Sequence, residues 1–202
     1  MAGHQAPDLA PHPGTGSLHV LGTARRDPKR LRLERQSPHE FEVPAGRNVA
    51  PSRLGIPMDD DDWMIENDPR PPLLPGWKHR VADYLSLAHP SASYWYDFSD
   101  DWRHTVTLED VLPPAPGKKY PRCTAGERAG PPDDCGGAWG YAELLEVLAD
   151  PSHHEHASSH RWASSIKGIK GKFDPEAFDE QQVKFDNPAR RLKNLLEHVN
   201  SD

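Results

Sequence analysis

Cysteine is scarce in this chain. Two in 202 residues cannot make a disulfide framework, so Cys123 and Cys135 are read as free thiols, metal ligands or a redox pair in a reducing compartment. Long apolar runs are missing as well. No stretch approaches the roughly 18 to 20 apolar residues of a spanning helix, and the N-terminus has neither the charged start nor the apolar run of a signal peptide. No membrane partner and a cytoplasmic location are therefore expected. Apolar content is low, with 35% hydrophobic residues and a mean hydropathy of −0.82, while prolines number 22. That balance predicts a folded domain flanked by solvated chain. Positive charge is in deficit too. The 31 acids against 24 bases leave a net −7, which repels phosphate backbones in bulk and restricts any nucleic-acid contact to a local basic face.

At this length one domain with extensions is the expectation. Residues 1–38 hold Pro7, Pro11, Pro13, Gly14 and Gly16 and then a basic run from Arg25 to Arg35, without helical or strand period, and read as a disordered segment. The folded domain is assigned to residues 39–202. Its first strand is His39 to Val43, where Phe41 and Val43 alternate with Glu40 and Glu42. From Ala45 to Trp77 the chain is loop-like, with the acidic run Asp59 to Asp62 read as solvated and Trp63 to Ile65 as a brief strand. Val81, Tyr84 and Leu85 share helical spacing and predict a short helix.

A hairpin signal follows. Tyr94, Tyr96 and Phe98 fall on one face, Ser99, Asp100 and Asp101 make the turn, and Trp102, His104, Val106 and Leu108 line the return strand, leaving one wet side. Lys118 to Gly140 reads as a long Gly/Pro-rich loop that opens a helix on which Tyr141, Leu144, Leu145 and Leu148 form the apolar stripe, ending at Asp150 and Pro151. His153, His154, His156 and His160 read as an exposed connector. Asp174 and Pro175 predict a short helix, and Asn187 and Pro188 a last one.

The run YDFSDDWRH, the spacing C-x6-G-PPDDCGG and then GYAELL closely resemble the plasmid pRiA4b ORF-3-like family, with HEFEV near the start of the resemblance and FDPEAFDEQQV near its end. The resemblance implies an α+β fold, an antiparallel sheet with flanking helices, and an association with plasmids or insertion elements. It leaves the activity unassigned. Three departures stand out: the unpatterned N-terminal segment in place of a strand and helix, Ser99 for a turn glycine, and Gly130 for a third cysteine.

Three kinds of site compete. A zinc site would take thiolates from Cys123 and Cys135, an imidazole from His104 and a carboxylate from Asp134 or Asp101. A hydrolase or nuclease would gather Asp97, Asp100, Asp101 and His104 around a divalent cation, although Asx-turn chemistry explains the same acids. The Gly136–Gly137 turn could cradle an anion, but it lacks a P-loop lysine and Asp133 and Asp134 repel phosphate, so a tight helix entry is preferred. A non-catalytic binding or accessory module is the favoured reading, with a protein or mobile-element nucleic acid as partner, and a metal-dependent enzyme is the competitor.

Overall fold

The computed structural model describes residues 18–21, 38–46, 49–57, 69–166, 169, 171–185 and 187–199. The basic run, the Asp59–Asp62 run and Trp63–Ile65 lie outside them. The chain divides into two units, one of which comprises residues 127–177 with the N-terminal 17, and the other residues 18–126 and 178–202.

The larger unit is built on a five-stranded sheet. Its strands are β2 (His39–Val43), β3 (Ser52–Gly55), β4 (Leu73–Pro75), β5 (Ser91–Tyr96) and β6 (Trp102–Thr107), in the order β4-β3-β2-β5-β6, antiparallel except for the β3–β4 pair. Strand alternation puts Val43, Leu54, Ala92 and Tyr94 on one face, where they are buried, with Phe41, Leu74, Tyr84 and Leu85 packed around them. Aromatic rings run across this face. Tyr94 meets Phe41 at 4.5 Å, His104 at 5.6 Å and Tyr96 at 6.5 Å between centroids. Burial, with Tyr96 close by, pushes the Tyr94 phenol far above its usual range, against the opposing pull of Arg191. The unfolded chain therefore gives up this proton first, and stability fully present below about pH 10 falls as pH rises beyond it. Tyr94→Phe should flatten that alkaline loss in urea melts across pH 9 to 11; an unchanged slope would mean Tyr94 is not its source.

The opposite face departs from a simple wet side. Glu40 is 2% exposed and Arg53 6%. Arg53 reaches Glu40 at 2.6 Å and Arg70 reaches it at 3.0 Å, while Arg53 Nη1 donates to the Pro71 carbonyl at 2.8 Å. Next to them the Arg103 guanidinium lies 3.6 Å from the Trp95 ring centre. Phe98 joins this side at 4.2 Å from Trp95 instead of continuing the Tyr94–Tyr96 face. Asp97, at φ 53°, breaks the alternation between them.

The loop expected from Lys118 onward contains a strand, β7 (Arg122–Gly126), paired antiparallel with β1 (Leu18–Leu21) inside the segment expected to be disordered. Backbone pairing between two short, distant segments supplies what neither stretch signals alone. A Cβ at Gly126 would run into the Phe178 ring, so glycine there admits a close approach. The short helix expected near Val81 is only a 3₁₀ turn, Val81–Asp83. The last helix, α3 (Pro188–Val199), begins as expected, with Asn187 Oδ1 accepting from the Ala189 and Arg190 amides at 3.0 and 3.2 Å.

The smaller unit packs α1 (Gly137–Ala149) with α2 (His156–Ser165). Pro132, Gly137, Tyr141, Leu144, Val147, Ala163 and Phe173 are buried among its described residues. His156 and His160 of the histidine-rich stretch lie on α2, while His153 and His154 stay in the turn that connects it to α1. His156 Nδ1 lies 3.1 Å from the Val147 carbonyl and ties α2 to α1. Asp174–Phe178 is a turn rather than a helix. Asp174 accepts from the Glu176 amide at 3.0 Å, an Asx arrangement that satisfies the backbone without a further helical turn.

Candidate functional site

Two of the hairpin acids, Asp97 and Asp101, are engaged locally, whereas Asp100 takes part through its amide. Asp97 Oδ1 accepts from the Ser99 and Asp100 amides at 3.2 and 3.3 Å, and Asp101 Oδ1 accepts from Arg103 Nε at 2.7 Å. Asp97 and Asp101 both sit in the left-handed region, at φ 53° and 52°, where Asp is among the few non-glycine residues tolerated. His104 is on the Tyr94 face as its strand parity requires, yet it is an exposed residue at the sheet edge. Partial desolvation lowers its pKa, opposed by a hydrogen bond with the Tyr94 backbone.

Neither Cys123 nor Cys135 is in a disulfide. Cys123 Sγ faces the Ala125 carbonyl at 3.3 Å, and Cys135 sits at the entry of α1 beside the Gly137 carbonyl. Among the described residues no three His, Cys, Asp or Glu side chains converge to hold a metal.

The PPDDCGG loop has a structural account. Asp134, Gly136 and Gly137 all have positive φ, at 60°, 85° and 67°, and Pro132 is buried beneath the turn. This winds the chain tightly into α1, and the Cys135 carbonyl lies where a side chain at Gly140 would begin. Gly130, by contrast, has open space around its missing Cβ, so a cysteine there would meet no obstacle.

What the turn positions is a cavity of about 620 Å³ in the smaller unit. Leu145, Leu148 and Phe173 give it apolar walls, and Arg128, His160 and Lys172 bring nitrogen groups to it. It is an open cleft whose lining mixes apolar wall with a few polar groups. Arg128 is the distinctive member. Its backbone is left-handed at φ 63°, unusual for a long side chain, and strain of this kind collects at functional sites. Its Nη2 contacts Glu176 Oε1 at 2.8 Å, while its Nε is buried with no hydrogen-bond partner. His160 Nδ1 is likewise buried without a partner. Desolvation, with Lys172 and His156 nearby, lowers the His160 pKa and keeps the ring neutral, able to give or take a hydrogen bond. The rim is pinned by the Ala129 amide donating to the Pro175 carbonyl at 3.0 Å.

No sequence signal announced this cavity. Arg128 falls among the unspecified positions of the C-x6-G spacing and Glu176 within FDPEAFDEQQV, and neither was singled out for its chemistry. The helical period that would have exposed α2 is masked by its mixture of serine and histidine.

The sequence profile of the family described as "Plasmid pRiA4b ORF-3-like protein" matches residues 32–182. The chain belongs to that family. Among its relatives, the uncharacterized protein y4hQ of Sinorhizobium fredii (strain NBRC 101917 / NGR234) is 37% identical over 105 residues, which span 50% of this chain and 54% of that protein. The chain thus matches about half the length of that relative. A crystal structure of a protein of unknown function, MM3350 from Methanosarcina mazei Go1, superposes with a TM-score of 0.61 at 38% identity over 74% of each chain. The α+β architecture with a mostly antiparallel sheet agrees with that likeness. No helix among the described residues is long and apolar enough to cross a membrane.

Proposed function

We propose that this member of the pRiA4b ORF-3-like family is a cytosolic, non-catalytic binding module whose ligand occupies the cavity beside Arg128. The observation that carries this reading is the cleft itself: about 620 Å³, with Leu145, Leu148 and Phe173 as apolar wall and Arg128, His160 and Lys172 among the residues that line it. The name its family carries supports an association with plasmids; the accessory role and a link to insertion elements are part of the proposal. Asp97 and Asp101 give less support to a catalytic reading, because turn amides and Arg103 already engage them.

The test is a screen of small molecules against the labelled full chain by NMR, repeated on Ala149→Trp. Ala149 is an exposed residue of the cavity lining, so the indole should fill the space with a change in stability within about 0.5 kcal/mol. Ligands that shift residues 127–177 in the original chain should fail to do so in the variant, and their own spectra should stay unchanged over hours. Binding that survives the indole would place the site elsewhere, and the appearance of a product would make the protein an enzyme.

A further inference from the structure

We infer that β6 is a dimer contact: two copies of the chain pair their β6 strands antiparallel about a two-fold axis at Val106, joining two five-stranded sheets into one.

The two edges of the sheet are unlike. β4 is three residues long, ends in Pro75 and follows Pro71 and Pro72, which discourages a further strand from adding to it. β6 ends the sheet on the other side among the described residues. It runs six residues in unbroken register with β5, without proline, glycine or bulge. The Leu108 amide donates to the Pro90 carbonyl at 2.7 Å, in line with that register. Hydrogen-bonded pairs alternate along an antiparallel ladder, so the backbone groups of Trp102, His104 and Val106 turn to β5 and those of Arg103, Thr105 and Thr107 turn outward. Arg103, Thr105 and Thr107 are all exposed. Such an edge is a template for another extended chain.

The sequence of the edge selects a second copy as that chain. With Val106 opposite Val106, Arg103 of one copy stands across from Glu109 of the other, twice by symmetry, and Thr105 stands across from Thr107. Asp101 engages the Nε side of Arg103, and Glu109 of the second copy meets the Nη side. Centring the pair on Thr105 would set Asp101 against Glu109, two acids, and centring it on His104 would set Arg103 against threonine. Of the three registers only the one at Val106 places opposite charges across from each other. On the Tyr94 face it brings Val106 against its own copy and the exposed His104 against Leu108, so apolar contact accompanies the ladder. A contact made along one strand is smaller than a standard interface, and the dimer is accordingly weak.

The experiment is sedimentation equilibrium of the full chain from about 10 μM to about 1 mM, the range in which so small a contact associates. The average mass should rise from one copy toward two. Thr105→Pro removes an outward amide and leaves the β5 ladder intact, and should weaken association more than tenfold. Glu109→Lys, outside the strand, should weaken it about tenfold by facing Arg103 with a like charge, and Arg103→Glu added to Glu109→Lys should restore it. Amide protection along β5 checks that each variant keeps the sheet. Under oxidised glutathione, Val106→Cys should cross-link two copies, because facing residues of a non-hydrogen-bonded pair lie about 4.5 Å apart at Cα, whereas Thr105→Cys should stay at the background set by Cys123 and Cys135 in the original chain. A chain that remains one copy across the whole range overturns the inference, whatever else its edge accepts. A dimer untouched by both Thr105→Pro and Glu109→Lys would place the contact elsewhere, and cross-linking through Thr105→Cys instead of Val106→Cys would overturn the register and the Arg103–Glu109 pairing with it.

Discussion

Gly140→Ala is expected to destabilise the protein by about 3 kcal/mol, although alanine is the better helix former by about 1 kcal/mol. Gly140 lies within α1 (Gly137–Ala149), where intrinsic propensity alone would make the substitution favourable. Packing reverses the sign. The new Cβ would be driven into the Cys135 carbonyl, and that carbonyl belongs to backbone held by three positive-φ residues, Asp134, Gly136 and Gly137. Flexible side chains can swing aside, whereas a carbonyl in a tight turn moves only with the turn, so overpacking costs of about 1 to 3 kcal/mol are the lower end here. The control is Gly130→Ala in the same loop, where nothing lies within 4 Å and φ is not positive, so stability should change by less than about 0.5 kcal/mol. Urea melts followed by the shifts of residues 127–177 compare the two directly. A Gly140→Ala variant as stable as the original would mean the turn is pliant and the account of the PPDDCGG loop is wrong. The cavity should suffer with the turn, since Leu145 and Leu148 reach it from the same helix.

The parts of the fold that were legible in the sequence are those whose signal is local. His39–Val43 is a strand over the expected bounds, the hairpin centres on Asp97–Asp101, α1 follows its Leu and Tyr stripe, and Asn187 caps α3. In each case side-chain period and a turn or cap residue agree within a dozen positions. The β1–β7 pair escaped because its two strands lie about a hundred residues apart and each is too short to declare itself. Phe98 was assigned to the wrong face because one left-handed aspartate is enough to break a two-residue period. The candidate site was the least legible part. The crowded acids of the hairpin drew attention for their composition, and hydrogen bonds account for two of them, Asp97 with the turn amides and Asp101 with Arg103. Arg128 becomes conspicuous only through its φ, its unpartnered Nε and its place on a cavity wall, none of which a residue type can convey.

Glu40 tests the same lesson on the sheet, where alternation predicted a polar face and the structure buries the polar group. Glu40→Ala should cost about 3 to 5 kcal/mol, because it leaves Arg53 buried beside Arg70 without a counter-charge. The loss is not the same as the net contribution of the ion pair. Removing both charges with volume retained, as in Glu40→Leu with Arg53→Met, should recover most of it, since a well-packed apolar pair avoids desolvating two ions. Arg70, at 40% side-chain exposure, can turn its guanidinium to solvent in either variant. What the ion pair does contribute is register. Shifting β2 by one residue would carry Glu40 to the Tyr94 face and Phe41 to the arginines, so the buried carboxylate penalises the slip in a way that a leucine cannot. The double variant should therefore be nearly as stable as the original in urea melts, yet show faster amide exchange along β2 (His39–Val43). A single substitution costing under about 1 kcal/mol would refute the burial, and unaltered exchange in the double variant would refute the register role.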